Sequence, residues 1–363
     1  VTGKPRRIAA AAPRESWESL LWIGTGLLGD PGPYLVSRSG RFLLVSSAGS
    51  RGPADAVARA LAGRVLARVE IDDREEAKTL ATVSTIADAA LSAGVRRDDA
   101  VVAVGGGVVS DVAGFAAAIL LRGIAWNAVP TTTGAMADAA IGGKTGVDHA
   151  AGKNLLGAFH PPAAVLIDPA AAATLPERDY RAGLVEAFKA AWIADAELAR
   201  RAESGIEPLR RRDEAVLLDV IAGAAAIKVR IVSEDLKERD RRRLLNFGHT
   251  LGHAFEAAGG YRDLRHGEAV AWGIAAALEI SRRRTGLSAG EAGRVRAALA
   301  GLGPFPEPCR DRKVLASFLA RDKKSTARGT AAVLLEAIGR GRVVESVPLE
   351  EWLGAAEAAS LTV

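Results

Sequence analysis

Apolar residues recur along this chain with two different periods. From Arg41 to about Asp168, short runs buried on both sides of a sheet alternate with longer stretches in which apolar residues return every three or four positions. Phe42-Leu43-Leu44-Val45 reads as a strand, Pro53 to Leu61 as a helix and Val65 to Ile71 as a strand. Glu75 to Ala93 reads as an amphipathic helix with Leu80, Val83, Ile86 and Ala90 on one side, and further strands fall at Val101–Val104, Ala125–Val129 and around Val165. Continuous apolar strands joined by helices imply a mostly parallel sheet covered on both faces, a Rossmann-like domain whose ligands bind at the carboxyl ends of the strands. Past Thr174-Leu175-Pro176 the strand signals stop, and Ala/Leu/Arg-rich helical periods run almost to the end. The pattern therefore predicts an α/β N-terminal domain over 1–174 and a mostly α-helical C-terminal domain over 175–363, with Pro176 and the acids Glu177 and Asp179 suited to a helix's first turn.

Composition narrows the class. A chain of 363 residues is long for one core and suits two domains, and 49% hydrophobic with 25% charged residues describes a globular protein. The net charge of +5 fits either a nucleic-acid partner or a small, multiply anionic substrate. The clusters Arg210-Arg211-Arg212, Arg241-Arg242-Arg243 and Arg282-Arg283-Arg284 lack interleaved aromatics and read as solvated helix faces, so no nucleic-acid partner is expected. One cysteine, Cys309, cannot form an intramolecular disulfide, which suggests a reducing, cytoplasmic setting. No signal peptide is read in Val1–Arg14, and the apolar run Leu20–Leu28 is too short and glycine-broken to span a membrane.

Candidate chemistry concentrates between Val101 and Asp168. The strand ends in Gly105-Gly106-Gly107, where backbone can turn tightly and approach a ligand, and a helix from about Val108 to Leu121 aims its free N–H groups and positive dipole end at that turn. The arrangement is a pyrophosphate seat, although a glycine-rich turn of this kind also occurs with no ligand. Pro130-Thr131-Thr132-Thr133 adds hydroxyls, and Asp138, Lys144, Lys153 and Asn154 fall on expected loops closed by Gly142, Gly143, Gly146 and Gly152. In the second half, His249 and His253 stand four apart on an expected helix, Phe247 to Ala258, and His266 opens the next. Glu186 lies mid-helix in an apolar setting with Lys189 one turn on, and a cation among histidines would give that carboxylate a partner. The residues between the histidine pair are Thr250, Leu251 and Gly252, which lacks the Glu of a zinc-hydrolase HExxH.

These segments together resemble the dehydroquinate synthase family of sugar-phosphate cyclases. The GGGxxxDxxGF turn, the PTT loop and the GGKTGxxxxxGKNxxGxF segment occur in order, followed by Arg242-Arg243-Leu244-Leu245-Asn246-Phe247-Gly248-His249-Thr250-Leu251-Gly252-His253-Ala254, similar to RxLLNFGHTxGHA. Trp22–Leu28 looks like the family's IGxGLL strand-turn, Glu75-Glu76-Ala77-Lys78 its GExxK contact and Asp322-Lys323-Lys324 its DKK segment. Where the family commonly places an Asp and an Asn for the adenosine ribose, this chain has Ser46-Ser47-Ala48-Gly49-Ser50, which implies weaker NAD binding.

The resemblance implies NAD and zinc (or cobalt) as cofactors, with Glu186, His249 and His266 as metal ligands. It places Glu75, Lys78, Gly105, Gly106, Gly107, Asp111, Thr131, Thr132, Asp138, Lys144, Lys153 and Thr174 at the nucleotide. Substrate phosphate would be held by Lys144, Asn154, His253, Lys323 and Lys324, with Arg122 reaching it from the partner of a homodimer. Lys228, Arg242 and Asn246 would meet a substrate carboxylate, and Asp138 and Lys189 the ring hydroxyls; a substrate without the acid would leave those cations unpaired. The implied activity is conversion of 3-deoxy-D-arabino-heptulosonate 7-phosphate to 3-dehydroquinate and phosphate: transient oxidation, phosphate loss, return of hydride, ring opening and aldol closure. Sister cyclases acting on sedoheptulose 7-phosphate or an amino-substituted analogue, and metal-dependent polyol dehydrogenases, are the alternatives.

Overall fold

The apolar runs read between Phe42 and Ile167 pair into one seven-stranded sheet in a computed structural model that describes residues 5–12, 17–320, 325–326 and 329–361. Its strands are β1 (Arg6–Ala12), β2 (Trp17–Ile23), β3 (Phe42–Ser47), β4 (Val65–Ile71), β5 (Ala100–Gly105), β6 (Ala125–Pro130) and, after the hairpin of β7 (Lys144–His149) and β8 (Gly152–Phe159), β9 (Ala164–Ile167). The order is β1-β2-β9-β6-β5-β3-β4, parallel throughout except for the antiparallel edge pair β1/β2. Every residue of β3, β5 and β9 is buried, as expected for strands with helices on both faces. Helices α1 (Arg51–Ala60), α2 (Leu80–Ser92) and α3 (Gly107–Ile119) supply that cover. The sheet grows from β3 outward to β4, then from β5 outward the other way to β6. Strand order thus reverses between β3 and β5, the position at which open α/β sheets bind ligands.

The remaining helices are α4 (Glu177–Ala194), α5 (Ala196–Ser204), α6 (Ile206–Arg210), α7 (Glu214–Glu234), α8 (His249–Ala258), α9 (His266–Arg284), α10 (Ala289–Leu302), α11 (Arg312–Leu319) and α12 (Leu349–Ala358). Two compact units result: Val1–Pro176 with Lys228–Lys237, and Glu177–Ile227 with Glu238–Val363. The first unit is therefore discontinuous, because the end of α7 belongs to it. Three arginines of the basic clusters are engaged within the second unit: Arg212 lies 4.6 Å over the Tyr180 ring, Arg243 pairs with Glu345 at 3.0 Å and Arg284 with Glu351 at 2.6 Å.

Several elements differ from the sequence reading. The second unit is not helical to its end but carries a three-stranded antiparallel sheet of β10 (Ser325–Thr326), β11 (Gly329–Ala337) and β12 (Arg340–Val347). Its tight hairpin turns at Gly339, whose φ of 84° is left-handed. Lys144, Lys153 and Asn154, expected on loops, lie instead in strands β7 and β8. The glycines there allow strands to touch rather than loops to bend: a Cβ on Gly157 would stand 2.2 Å from the Thr145 carbonyl oxygen. Asp138 sits in a wide π-helical turn, Ala135–Ala139. The expected helix from Glu75 is a short turn, Glu75–Ala77, broken before α2 is capped by the Thr79 hydroxyl, which accepts from Thr82 N at 3.1 Å. The helix expected from Phe247 begins at His249, since Gly248 before it has a left-handed φ of 78°.

Candidate functional site

In the second unit, α4, α8 and α9 approach so closely that side chains are excluded between their backbones. A Cβ on Gly267 would lie 1.8 Å from the Ala182 oxygen of α4, and one on Gly273 would lie 1.9 Å from the Gly248 oxygen preceding α8. This contact brings Glu186, His249 and His266 together, with one ligand atom of each within 4.8 Å of the others. The start of α9 is fixed by Glu268, 1% exposed, which accepts from Arg265 N at 2.8 Å and from Arg178 through both oxygens at 2.7 Å.

The protonation of His249 and Glu186 suits a cation, whereas His266 must give up a proton to ligate one. Burial strongly disfavours the charged form of His249 and Lys189 adds to this, so its pKa falls well below 6.5 and the ring is neutral. Its Nδ1 lies 3.2 Å from the Phe247 carbonyl, which can only accept, so Nδ1 carries the proton and Nε2 the lone pair. Burial opposes ionisation of Glu186, but Lys189 and His266 outweigh it and hold the carboxyl ionised below the usual range. Lys189 Nζ lies 2.5 Å from Glu186 Oε2, yet neither carboxylate oxygen receives a hydrogen bond of acceptable direction. Two imidazoles and a buried carboxylate without hydrogen-bond donors form a donor set that fits zinc or cobalt. For His266, burial lowers the pKa, but Glu256 and Glu186 raise it more, to about 10. The ring is 48% exposed, so water moderates that pull.

In the first unit, Gly106 caps α3, whose first-turn N–H groups lack intrahelical acceptors. A Cβ on Gly106 would stand 3.0 Å from Thr132 Cγ2, and Thr131 N donates to the Gly105 carbonyl at 2.9 Å, so the glycine turn and the Pro-Thr-Thr segment are one structure. The bare glycine backbone at a helix N-terminus, beside the β3/β5 switch point, fits a pyrophosphate. Across the switch point, Ser47 at the end of β3 is 2% exposed, and Ser50 Oγ donates to the Val104 carbonyl at 2.7 Å.

Next to α3, Lys78 is 4% exposed and donates to Asp111 Oδ2 at 2.8 Å and to Asn154 Oδ1 at 2.6 Å. Burial acts against its charge, but Asp111 and Glu75 prevail and raise its pKa. Glu75 also pairs with Lys153 at 3.0 Å. Asn154, which the resemblance links to substrate phosphate, thus stands beside the Lys78–Asp111 pair. Asp148 accepts from Asn154 N at 2.8 Å and donates its own N–H to the Lys78 carbonyl at 2.8 Å, contacts that no sequence motif signals. His149 Nδ1 accepts from Ala151 N at 3.1 Å and His160 Nε2 donates to the Ile124 carbonyl at 2.9 Å.

Other candidates are placed less centrally or are already balanced. Lys228 Nζ lies 2.5 Å from Asp138 Oδ1, and Asn246 Nδ2 donates to Glu238 Oε1 at 2.5 Å. The expectation that these groups stay unpaired without a substrate acid is therefore corrected: carboxylates of the chain itself partner them. Arg242 is 2% exposed. His253, one turn from His249, is exposed, with ring centroids 5.3 Å apart. Lys144 and Thr174 are exposed, and Arg122 adopts a left-handed φ of 68° after α3. Lys323 and Lys324 lie outside the described residues.

With this geometry in place, the chain matches the family model described as 3-dehydroquinate synthase N-terminal over residues 68–182 and that described as 3-dehydroquinate synthase C-terminal over 183–325. It is 42% identical over 336 residues to a 3-dehydroquinate synthase of Geobacter metallireducens, covering 90% of this chain and 93% of that one. Among solved structures it is similar to 2-epi-5-epi-valiolone synthase from Streptomyces hygroscopicus subsp. jinggangensis 5008 with NAD+ and Zn2+ bound, with TM-score 0.84, 33% identity and 95% and 96% of the two chains covered. It is also similar to 2-deoxy-scyllo-inosose synthase complexed with carbaglucose-6-phosphate, NAD+ and Co2+, with TM-score 0.87, 25% identity and coverage of 98% and 100%.

Proposed function

This chain belongs to the 3-dehydroquinate synthase family, and on that premise we propose that it converts 3-deoxy-D-arabino-heptulosonate 7-phosphate to 3-dehydroquinate and inorganic phosphate, using NAD and a divalent metal, zinc or cobalt. It is thus a carbon–oxygen lyase with no net oxidation. The observation that carries the reading is the convergence of Glu186, His249 and His266, with His249 held neutral and Glu186 ionised. When bound, NAD supplies a reversible hydride acceptor and the metal a Lewis acid for the hydroxyl being oxidised.

The first unit is read as the NAD-binding domain and the second as the metal- and substrate-binding domain. Gly105, Gly106, Gly107 and the first turn of α3 seat the pyrophosphate, and Glu75, Lys78, Asp111, Thr131, Thr132, Asp138, Lys144, Lys153 and Thr174 serve the nucleotide. Lys144, Asn154, His253, Arg122, Lys323 and Lys324 hold substrate phosphate, where cations and amide donors match its oxygens. Lys228, Arg242 and Asn246 take the substrate carboxylate. Because Lys228 is balanced by Asp138, binding the acid exchanges one carboxylate partner for another and frees Asp138 to accept from a ring hydroxyl. Lys189, beside Glu186, donates to a second hydroxyl.

The protein is further read as a cytoplasmic homodimer that binds neither nucleic acid nor membrane. The single cysteine supports a reducing compartment, and among the described residues no helix is long and apolar enough to cross a membrane. The dimer rests on Arg122; mixing Arg122→Ala protein with inactive Lys144→Ala protein should restore part of the turnover through mixed dimers.

The test of the activity is phosphate release with NAD and zinc from the heptulosonate phosphate, sedoheptulose 7-phosphate and the amino-substituted analogue side by side. Fastest release from the heptulosonate supports the reading, and faster release from either rival refutes it. Net NADH accumulation with simple polyols would instead indicate a dehydrogenase.

A further inference from the structure

Glu256 lies one turn beyond His253 on α8 and is 5% exposed, a position where a carboxylate needs a partner. Its Oε2 lies 3.4 Å from His266 Nδ1, while His266 Nε2 lies 3.5 Å from Glu186 Oε1. The imidazole is therefore held between two carboxylates, one at each nitrogen, and only one of them belongs to the proposed ligand set. His249 shows the same arrangement with a different acceptor, since its Nδ1 faces the Phe247 carbonyl at 3.2 Å. In both rings Nδ1 is tied to an oxygen of the chain, which leaves Nε2 for a metal.

We propose that Glu256 is a positioning residue for the metal centre: it accepts the Nδ1–H of His266, fixing the ring's tautomer and rotation so that Nε2 faces Glu186. The inference rests on the metal reading given above. An acceptor oxygen behind a ligating imidazole fixes its tautomer and restricts its rotation. His266 is otherwise poorly constrained, because it occupies the first position of α9 and nearly half of its side chain is exposed.

The same atoms admit one rival. His253, Glu256 and His266 also present ligand atoms within 4.8 Å of one another, as a second cation site would. With an ion already at Nε2, however, a second ion at Nδ1 would require His266 to surrender its remaining N–H and become an anionic bridge. A proton shared with Glu256 satisfies the same geometry without that step.

Two substitutions separate the possibilities. Glu256→Gln keeps an oxygen at the same reach and removes the charge; Glu256→Asp keeps the charge and withdraws it by one methylene. Zinc and cobalt affinities are measured on metal-free protein by competition with a chelator, together with the cobalt absorption spectrum and the melting temperature before metal is added. The expected result is one equivalent of metal in the parent, affinity within about threefold in E256Q, and about 10–100-fold weaker binding with an altered cobalt spectrum in E256D. Unchanged affinity in E256D, or a tenfold or greater loss in E256Q, overturns the proposal, and E256Q alone decides if E256D does not fold. Two equivalents in the parent, with one lost in E256D, replaces it with the second-cation reading. No uptake by the parent overturns the metal centre itself, a failure distinct from one seen only in the variants.

Discussion

Replacing Gly267 with alanine tests whether backbone contact builds the metal centre. The new Cβ would stand 1.8 Å from the Ala182 oxygen and 2.6 Å from its carbonyl carbon. Reaching the 3.0 Å at which real Cβ contacts begin requires the start of α9 to retreat from α4 by about 1.2 Å. Rotation of α9 offers little relief, because Gly273 further along it already touches the Gly248 carbonyl. Overpacking of this kind costs about 1–3 kcal/mol, which should lower the melting temperature of metal-free protein by several degrees. Function should suffer more, since a metal tolerates ligand displacements of only about 0.2 Å and His266 is the residue next to the substitution. Zinc affinity by chelator competition should fall at least about 100-fold. Gly290→Ala is the control: its Cβ meets nothing within 4 Å inside α10, so it should be neutral or slightly stabilising and leave zinc binding unchanged. Parental zinc affinity in Gly267→Ala would refute the reasoning.

Three further outcomes follow from other parts of the molecule. Ser47→Asp keeps an acceptor at the end of β3 and adds the charge that the ribose-binding position lacks, so titrated NAD affinity should rise up to about tenfold; no change counts against placing the adenosine there. Asp99 is 0% exposed; burial opposes its ionisation, but Ser39, the Arg96 amide and Arg41 outweigh this and hold its pKa below the ordinary value. A depressed folded pKa stabilises the fold above the unfolded value of about 3.9 and ceases to do so as pH falls through the folded value. Asp99→Asn should therefore be less stable by about 2 kcal/mol in urea unfolding at pH 7, and the gap should shrink below about pH 4; a gap independent of pH contradicts the assignment. Arg242→Ala should lower kcat/KM on the heptulosonate phosphate about tenfold, and full activity would remove Arg242 from the carboxylate site.

The strand-turn-helix at Val101–Leu121 and the histidines of α8 and α9 were legible because each combines a local period with a chemical requirement: apolar strand, bare backbone, one-face spacing. The hairpin β7/β8 was not. Its Gly146 and Gly157 look like loop punctuation, and only the facing strand reveals that they permit close pairing. The strands β11 and β12 were hidden by alanine and arginine, which favour helix in isolation; their pairing across Gly339 is tertiary. At the site, Glu186 was visible as a lone acid in an apolar helix. Glu256 was not, since it reads as an ordinary helical glutamate until His266 is brought beside it. The pairing of Lys228 with Asp138, 90 positions apart in sequence, likewise has no local signal.

The divided path of α7 bears on how the protein is made. A ribosome releases residues in order, and Lys228–Lys237, which completes the first unit, emerges only after the 51 residues of Glu177–Ile227 that belong to the second. The nascent sheet can form earlier, but Asp138 must wait for Lys228. Co-translational folding therefore cannot finish one unit before starting the other. For the same reason a fragment ending at Pro176 would lack a piece of its own fold, and grafting the nucleotide-binding half onto another protein would require carrying the 228–237 segment with it.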